Sequence, residues 1–315
     1  MVFPTTTTGA GLPGDSFPVG GSTLDRPETD ARSWGPTLLF CAALLLSAIL
    51  IVVAKPLSAG AATTGHRSHG TVASRSRKVE QVNPGEATSP NWSGYVAYES
   101  GNDAGFDQVS AQWVEPAVTC PKKNAWTLFW VGFDGWPAGQ PSMDESVEQG
   151  GTSAQCLNGV PHYNAFYEMW PTTAVKMTIP VNAGDQIAAS VTYSAATNFT
   201  ITVTDVTTGQ TATNSGSCVG TGLACARTSA EWVAESPSHY GAKKPSWFPM
   251  AKFATTEFTD AWASDNQGVT GPIANSPAWQ SSGIIRVAGR AKPVAVVSAL
   301  QSTSFSSVFS DTYRK

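Results

Sequence analysis

The chain has 315 residues, enough for one large all-β domain or for two small domains. Charged residues make up only 13%, below the roughly 25% that is usual in soluble domains, while Gly, Ser, Thr and Trp are plentiful, a composition that suits a large antiparallel sheet. From residue 85 onward 12 Lys and Arg stand against 18 Asp and Glu, a formal charge of −6, and this argues against nucleic acid as a partner because phosphate binding needs a basic face.

The N-terminal part of the chain has the features of an export signal. Residues 1–36 are rich in Thr, Gly, Pro and Asp without an apolar period, which predicts disorder. Residues 37–54 form an uncharged apolar run long enough for a membrane helix, and small residues at 59–61 offer a cleavage site. We interpret the run as a signal-peptide core or, if uncleaved, as a membrane anchor, so that the protein is secreted or extracellular.

Residues 55–84 are small, polar and basic, and their positive charge does not favour export by the positive-inside rule. We expect a flexible linker here. The other interpretation is a short pro-segment that lies across an acidic cleft until acid protonates the carboxylates there.

Four cysteines follow the apolar run, and an even number in an exported chain suggests two disulfides. We expect Cys120 to pair with Cys156 and Cys218 with Cys225. Four cysteines allow three connectivities, however, and four reduced thiols are the other interpretation.

From residue 85 to 315 the chain has the texture of one β-domain. Strand-like stretches separated by Gly, Pro, Asn and Asp include residues 92–98, 109–114, 126–133, 175–179, 186–193, 199–205, 230–235, 284–287 and 294–298. Turn signals at 182–185 and 207–210 lie between such stretches, and no helical period of useful length appears after residue 60. The pattern predicts an all-β sandwich of two large antiparallel sheets.

An ordered set of motifs runs through this domain. It includes Asn-Trp-Ser-Gly at 91–94, Ala-Gln-Trp-Val-Glu-Pro at 111–116, Trp-Val-Gly-Phe-Asp-Gly at 130–135, Val-Glu-Gln-Gly at 147–150, Tyr-Glu-Met-Trp-Pro at 167–171 and Ala-Glu-Trp-Val-Ala-Glu at 230–235. In this order the set resembles the glutamic peptidases, or eqolisins, in their bacterial-type form. The resemblance implies a lectin-like (concanavalin-like) sandwich that binds an extended polypeptide substrate, and we expect a monomer.

The resemblance also implies a catalytic pair, Gln149 and Glu235, in an acid endopeptidase. Peptide hydrolysis in acid needs a base that stays ionised and a polarising group that does not titrate, and a carboxylate and a carboxamide meet these needs. Glu235 would take a proton from a water and later give it to the leaving amine, while the Gln149 amide stabilises the oxyanion. This scheme needs neither a metal nor a cofactor.

Four further residues are candidates for contacting substrate or supporting the pair. Strand alternation places Glu231 on the face of Glu235, and it places Trp130 on the face of Asp134. Asp134 and Glu168 resemble family positions near the active site. Carboxylates crowded around Glu235 would raise its pKa by mutual repulsion.

Each of these residues also has an ordinary explanation. A Gln within a strand is usually a hydrogen-bonded sheet residue, and a Glu near a strand end is usually a solvated charge.

The alternative function is a non-catalytic lectin-like sandwich that binds carbohydrate or peptide at the cell surface, or a structural domain displayed there. Such a lectin would show a sugar-stacking Trp flanked by hydrogen-bonding groups and no catalytic pair. Glu148, where an apolar residue is expected, departs from the family pattern.

Overall fold

Strands and their connections make up the part of the chain that the computed structural model describes, namely residues 87–98, 105–136, 145–195, 198–218, 222–238, 246–274, 278–288 and 292–310. No helix occurs among these residues. In chain order the strands are β1 (Ala87–Ser89), β2 (Trp92–Tyr98), β3 (Phe106–Val114), β4 (Val118–Thr119), β5 (Ala125–Phe133), β6 (Val147–Leu157), β7 (Val160–Trp170), β8 (Val175–Lys176), β9 (Gln186–Ala195), β10 (Asn198–Asp205), β11 (Gln210–Ser217), β12 (Ser229–Glu235), β13 (Lys252–Phe253), β14 (Thr256–Asp265), β15 (Thr270–Pro272), β16 (Gln280–Ala288), β17 (Lys292–Val297) and β18 (Phe305–Phe309).

The strands form two large sheets that are joined along β14. The first sheet has the order β8-β7-β6-β5-β12-β2-β16-β17-β18, and the second has the order β11-β10-β9-β3-β14. Residues 256–258 of β14 pair with β18, whereas residues 259–265 pair with β3. Pairing within both sheets is antiparallel, except that β1 runs parallel to β16. The predicted all-β architecture of large antiparallel sheets is therefore confirmed.

The main core lies between the two sheets. Aromatic residues from both sheets fill it, including Trp113, Phe129, Phe133, Phe199, Trp232 and Phe258. Two indole groups link the layers, because Trp113 Nε1 on β3 donates to Thr152 Oγ1 on β6 at 3.2 Å, and Trp232 Nε1 on β12 donates to the Ser110 carbonyl on β3 at 2.8 Å. A buried indole N–H needs an acceptor, so these bonds fix how the sheets stack.

The opposite face of the first sheet carries a second apolar cluster. Its members include Trp92, Val96, Leu128, Trp130, Phe166 and Val233. Because side chains alternate along a strand, β5 sends Phe129 into the main core and its neighbour Trp130 into this second cluster, and every residue of β5 is buried. We call this side the outer face of the first sheet, and it carries the candidate site.

Several local predictions are confirmed. Gly184 and Gly209 have φ values of 94° and 73°, as the tight turns predicted at 182–185 and 207–210 require. Cys120 pairs with Cys156, and Cys218 pairs with Cys225, as expected. In the stretch 175–179, by contrast, only Val175–Lys176 form a strand.

The three N-terminal predictions, disorder at 1–36, an apolar helix at 37–54 and a linker or pro-segment at 55–84, lie outside the described residues. Within the part of the chain that the structure describes, no helix has the length and apolarity needed to cross a membrane.

Candidate active site

Four adjacent strands of the first sheet bring polar side chains into one row on its outer face. Gln149 of β6 lies opposite Glu168 of β7 on one side and opposite Gly132 of β5 on the other. Gly132 in turn lies opposite Glu231 of β12. Residues directly opposite in antiparallel strands point to the same face, so the side chains of Glu168, Gln149 and Glu231 share this face.

Gln149 is 2% exposed and is held in one orientation. Its amide Nε2 donates a 2.6 Å hydrogen bond to Oε2 of Glu168. Its Oε1 is buried and accepts no hydrogen bond from the residues that the structure describes. Gln149 therefore keeps one amide hydrogen and its carbonyl oxygen available for a ligand, because a carboxamide has two donor hydrogens and one acceptor oxygen.

Glu235 lies on the same face, four residues from Glu231 on β12, and is 1% exposed. Its Oε2 accepts a 2.9 Å hydrogen bond from Trp130 Nε1, and its Oε1 accepts a 3.2 Å bond from Asn91 Nδ2. Burial raises the pKa of Glu235, and the two hydrogen bonds act in the opposite direction because they stabilise the ionised form.

Asn91 is itself anchored. The hydroxyl of Ser89 donates to Asn91 Oδ1 at 3.1 Å, which leaves the Asn91 Nδ2 group to point at Glu235. Ser89 Oγ also accepts the backbone N–H of Trp92 at 3.1 Å. The link from β1 to β2 thus forms a short hydrogen-bonded support for one oxygen of Glu235.

Trp130 stands between the two candidate catalytic residues. Trp130 of β5 lies opposite Gly151 of β6 and opposite Val233 of β12. This row of the sheet lies between the row that contains Gln149 and the row that contains Glu235. At Gly132, an added Cβ would lie 2.9 Å from the Gln149 Cβ and 3.1 Å from the Cζ3 of Trp130. The missing side chain at residue 132 therefore gives Trp130 and Gln149 the space that they occupy, and Trp92 packs edge-on against Trp130 at 5.0 Å.

A group of buried carboxyls lies where β5 ends and where β6 and β12 begin. Asp134 follows β5 with a φ of 69° and accepts backbone N–H bonds from Arg227 at 2.7 Å and Thr228 at 2.8 Å. The Thr228 hydroxyl also donates to Glu145 at 3.2 Å, which ties a second carboxylate to the first. Glu231 is fully buried as well.

Glu148 belongs to the same group, although alternation places it on the face of β6 opposite to Gln149. Burial raises the pKa of Asp134 to about 7 and that of Glu148 to about 8, and repulsion between the carboxyls adds to both. Burial also raises the pKa of Glu231 well above its usual value, and repulsion from Asp134, Glu145 and Glu148 adds to it.

These findings correct one prediction and add residues that the sequence analysis missed. Burial, and not carboxylate crowding, is the main cause of the raised pKa of Glu235, and at Glu231 and Asp134 burial is again the main cause while repulsion from neighbouring carboxyls adds to it. In the sequence Asn91 is part of a motif and Glu148 is a departure from the family pattern. The bond from Asn91 to Glu235 and the position of Glu148 beside Asp134 and Glu145 depend on the strand register. Among the described residues no group of three His, Cys, Asp or Glu is arranged to hold a metal ion.

Comparisons with known proteins agree on one family. The Peptidase A4 family matches residues 90–307 of this chain. Scytalidopepsin B of Scytalidium lignicola is 32% identical over 241 residues, which are 73% of this chain and 87% of that protein. A crystal structure of scytalido-glutamic peptidase with a transition state analog inhibitor matches 70% of this chain and 98% of its own with a TM-score of 0.59 at 24% identity. SCP-B, a member of the eqolisin family in a complex with the tripeptide Ala-Ile-His, matches the same shares with a TM-score of 0.55 at 25% identity.

Proposed function

The chain belongs to the Peptidase A4 family of glutamic peptidases, and from this premise we propose that it is an exported acid endopeptidase with Gln149 and Glu235 as its catalytic pair. The observation that carries the proposal is the position of the two side chains. They lie on one face of one sheet, on either side of Trp130, and each is fixed by a hydrogen bond to a neighbour.

The substrate of this proposal is an extended polypeptide that crosses the outer face of the first sheet over Trp130. The two solved relatives are in complex with a transition state analog inhibitor and with a tripeptide. A peptide carbonyl above the Trp130 ring would have the Gln149 amide on one side and the Glu235 carboxylate on the other.

The reaction then follows from the groups that remain available. Glu235 removes a proton from a water whose oxygen attacks the peptide carbonyl carbon, and the Gln149 Oε1 accepts the other hydrogen of that water. The second amide hydrogen of Gln149 donates to the oxyanion of the tetrahedral intermediate, while Glu168 holds the first. Glu235 finally gives its proton to the leaving amine as the C–N bond breaks.

The pKa of Glu235 sets the acid limit of this mechanism. Only the ionised carboxylate can take a proton from water, so the rate rises with pH until Glu235 is ionised. Burial raises the pKa of Glu235 and so moves this limit to higher pH, whereas the hydrogen bonds from Trp130 and Asn91 lower the pKa and move the limit to lower pH. The two donors therefore keep the base ionised at lower pH than burial alone would allow.

Export rests on the sequence and on the disulfides. The apolar run at 37–54 would act as a signal or as an anchor, and 55–84 as a linker or a pro-segment. Disulfides persist in oxidising compartments, so the bonds Cys120–Cys156 and Cys218–Cys225 suit an extracellular protein. N-terminal sequencing of protein recovered from the culture medium would locate the cleavage, and light scattering would check the expected monomer.

The catalytic pair is tested by hydrolysis of a denatured protein between pH 2.5 and 6, with the purified chain beside Gln149→Ala and Glu235→Gln. We expect Glu235→Gln to lower kcat at least about 10³-fold, because it removes the base, and Gln149→Ala about 10²-fold, because it removes one oxyanion donor.

Glu257→Gln is the matched control, because Glu257 is an exposed carboxylate on β14 and should leave the rate unchanged. Circular dichroism must show that all variants are folded. Full activity of a folded Glu235→Gln variant would exclude the proposed mechanism, and absence of hydrolysis by the parent would exclude the proposed activity under these conditions.

A further inference from the structure

The outward face of the second sheet carries a groove that plays no part in the proposed catalysis. It runs along β3 between β9 and β14 and consists of two depressions with volumes of about 550 and 350 Å³. Gln112 lines both depressions, so they are continuous. We call this feature the outer groove, and it lies on the opposite side of the sandwich from Gln149 and Glu235.

An aromatic ring borders the outer groove. Trp262 of β14 lines the smaller depression and is 39% exposed, although most of the tryptophans in the described residues are buried. An indole ring left in water at a polar groove is a flat apolar surface that a ligand can cover.

A backbone irregularity places Trp262 there. Between Gln112 and Ser110 strand β3 advances two residues while β14 advances three, from Thr259 to Trp262, which is a β-bulge. Asp260 occupies the bulge with a φ of 48°, in the left-handed region that non-glycine residues rarely adopt. The bulge puts both Asp260 and Trp262 on the outward face.

Hydrogen-bonding groups beside Trp262 are held in fixed orientations. Gln186 Nε2 donates to Gln112 Oε1 at 3.0 Å, and Gln112 Nε2 donates to Asp260 Oδ2 at 3.1 Å. All three residues line the groove, and each bonded oxygen has a second lone pair while each amide has a second hydrogen. A row of carboxamide and carboxylate groups held in this way can both donate to and accept from hydroxyl groups.

Hydroxyls extend the polar surface from the groove across the neighbouring strands. Thr202 and Thr204 of β10 line the smaller depression. Hydroxyl pairs connect β10 to β11 in three successive rows, Thr200 with Ser215 at 3.3 Å, Thr202 with Thr213 at 3.1 Å and Thr204 with Thr211 at 2.9 Å. This surface is polar without being charged.

The charge of the lining decides between classes of ligand. Among the described residues no Lys or Arg lines either depression, and the ionisable lining residues are Glu115, Glu257 and Asp260. Phosphates, acidic glycans and anionic lipid surfaces need cationic partners, so this groove does not suit them. A neutral ligand rich in hydroxyls, with flat apolar faces, matches the ring and the fixed amides.

We propose that the outer groove binds a neutral polysaccharide chain, with one sugar ring stacked on Trp262 and neighbouring hydroxyls bonded to Gln112, Gln186 and Asp260. Because the two outer faces of a sandwich point in opposite directions, a glycan can bind there while a peptide occupies the face of Trp130. Binding to the glycan would keep the enzyme on an insoluble matrix. The inference does not depend on the catalytic pair.

Sedimentation with insoluble glycans tests the proposal. The purified full chain is mixed at acid pH with microcrystalline cellulose or with insoluble β-1,3-glucan, and the unbound fraction is measured against polysaccharide concentration. We expect the parent to sediment with at least one of the two. Trp262→Ala should weaken that binding at least tenfold, Trp262→Phe should retain part of it, and Gln112→Ala should weaken it about fivefold.

Two controls separate this binding from folding and from peptide hydrolysis. Val175→Ala removes another exposed apolar side chain, on β8 of the first sheet, and should bind like the parent. Glu235→Gln should bind glycan fully, and Trp262→Ala should hydrolyse a soluble peptide at the parent rate. No sedimentation of the folded parent with either glucan, or equal binding by the parent and Trp262→Ala, would overturn the proposal.

Discussion

The indole Nε1 of Trp130 donates a 2.9 Å hydrogen bond to Oε2 of Glu235, and the ring of the same residue occupies the row between Glu235 and Gln149. One side chain thus forms the surface between the two candidate catalytic groups and opposes the rise that burial causes in the pKa of one of them. A hydrogen bond to the ionised form of a carboxylate lowers its pKa.

Replacement of Trp130 by Phe should therefore move the acid limb of the rate profile to higher pH. Trp130→Phe keeps the aromatic surface but removes the donor, so the pKa of Glu235 rises. We expect the midpoint of the acid limb of kcat to rise by about one pH unit, which corresponds to about 1.4 kcal/mol. Trp126→Phe is the matched control on the same strand, because Trp126 Nε1 bonds to none of the described residues. An unchanged limb in Trp130→Phe would contradict this role.

Removal of Glu168 should lower the rate without moving the acid limb. Glu168 accepts the 2.6 Å bond that orients the Gln149 amide, and it is absent from the main causes of the Glu235 pKa shift. Glu168→Ala should reduce kcat about tenfold or more, as expected when a supporting hydrogen bond to an active group is lost. The full pH profile of kcat separates this result from that of Trp130→Phe. A shifted limb with unchanged maximal rate would show that Glu168 acts on Glu235 instead.

The sequence predicted well the strands in which apolar and polar residues alternate. It predicted less well the strands that form because they pair with neighbouring strands. β10, with Phe199, Ile201 and Val203 inward and threonines outward, follows the alternating pattern over its length. β6 contains Gly-Gly-Thr-Ser-Ala-Gln and has weak strand propensity, but it pairs along its length with β5 and β7. Tertiary pairing determines that strand, and single-sequence patterns do not report it.

In the candidate site, too, the features that depend on one strand were predictable from the sequence, and the contacts that depend on strand pairing were not. Strand parity correctly placed Glu231 on the face of Glu235 in β12, because it needs only the sequence within one strand. The contacts Asn91 to Glu235 and Thr228 to Glu145 join residues more than eighty positions apart, so they depend on the pairing of β2 with β12 and on the approach of two loops. Those contacts require the register of the whole sheet.

A methyl group at Gly151 should destabilise the domain strongly. An added Cβ there would lie 2.0 Å from the carbonyl oxygen of Phe129 and 2.7 Å from the Trp130 Cα, so the β5 backbone would have to move. We expect Gly151→Ala to lower the free energy of unfolding by about 3 kcal/mol or more, measured by urea unfolding. Gly184→Asn is the control, because Gly184 has open space around it and Asn tolerates its positive φ. Equal stability of the two variants would mean that β5 and β6 are less tightly paired than described.

The buried carboxyls should make the domain most stable in acid. Burial raises the pKa of Asp134 to about 7 and those of Glu115 and Glu148 to about 8, whereas in the unfolded chain such groups titrate near 4. Between these values the folded state holds protons that the unfolded state has lost. Each group therefore lowers the free energy of unfolding by up to about 1.4 kcal/mol per pH unit as pH rises. We expect the thermal midpoint to fall by about 10 °C or more between pH 4.5 and 7.5.

Glu148→Gln isolates one contribution to the fall in stability with rising pH, because it removes a fully buried carboxyl on β6 that faces away from Gln149. The variant cannot ionise, so its stability should fall less steeply than that of the parent between pH 5 and pH 8 and should exceed it at pH 7.5. Glu257→Gln changes an exposed carboxylate and should reproduce the slope of the parent. Parallel curves for the parent and Glu148→Gln would show that Glu148 is already ionised in the folded protein at acid pH, which its burial among Asp134, Glu145 and Glu231 argues against.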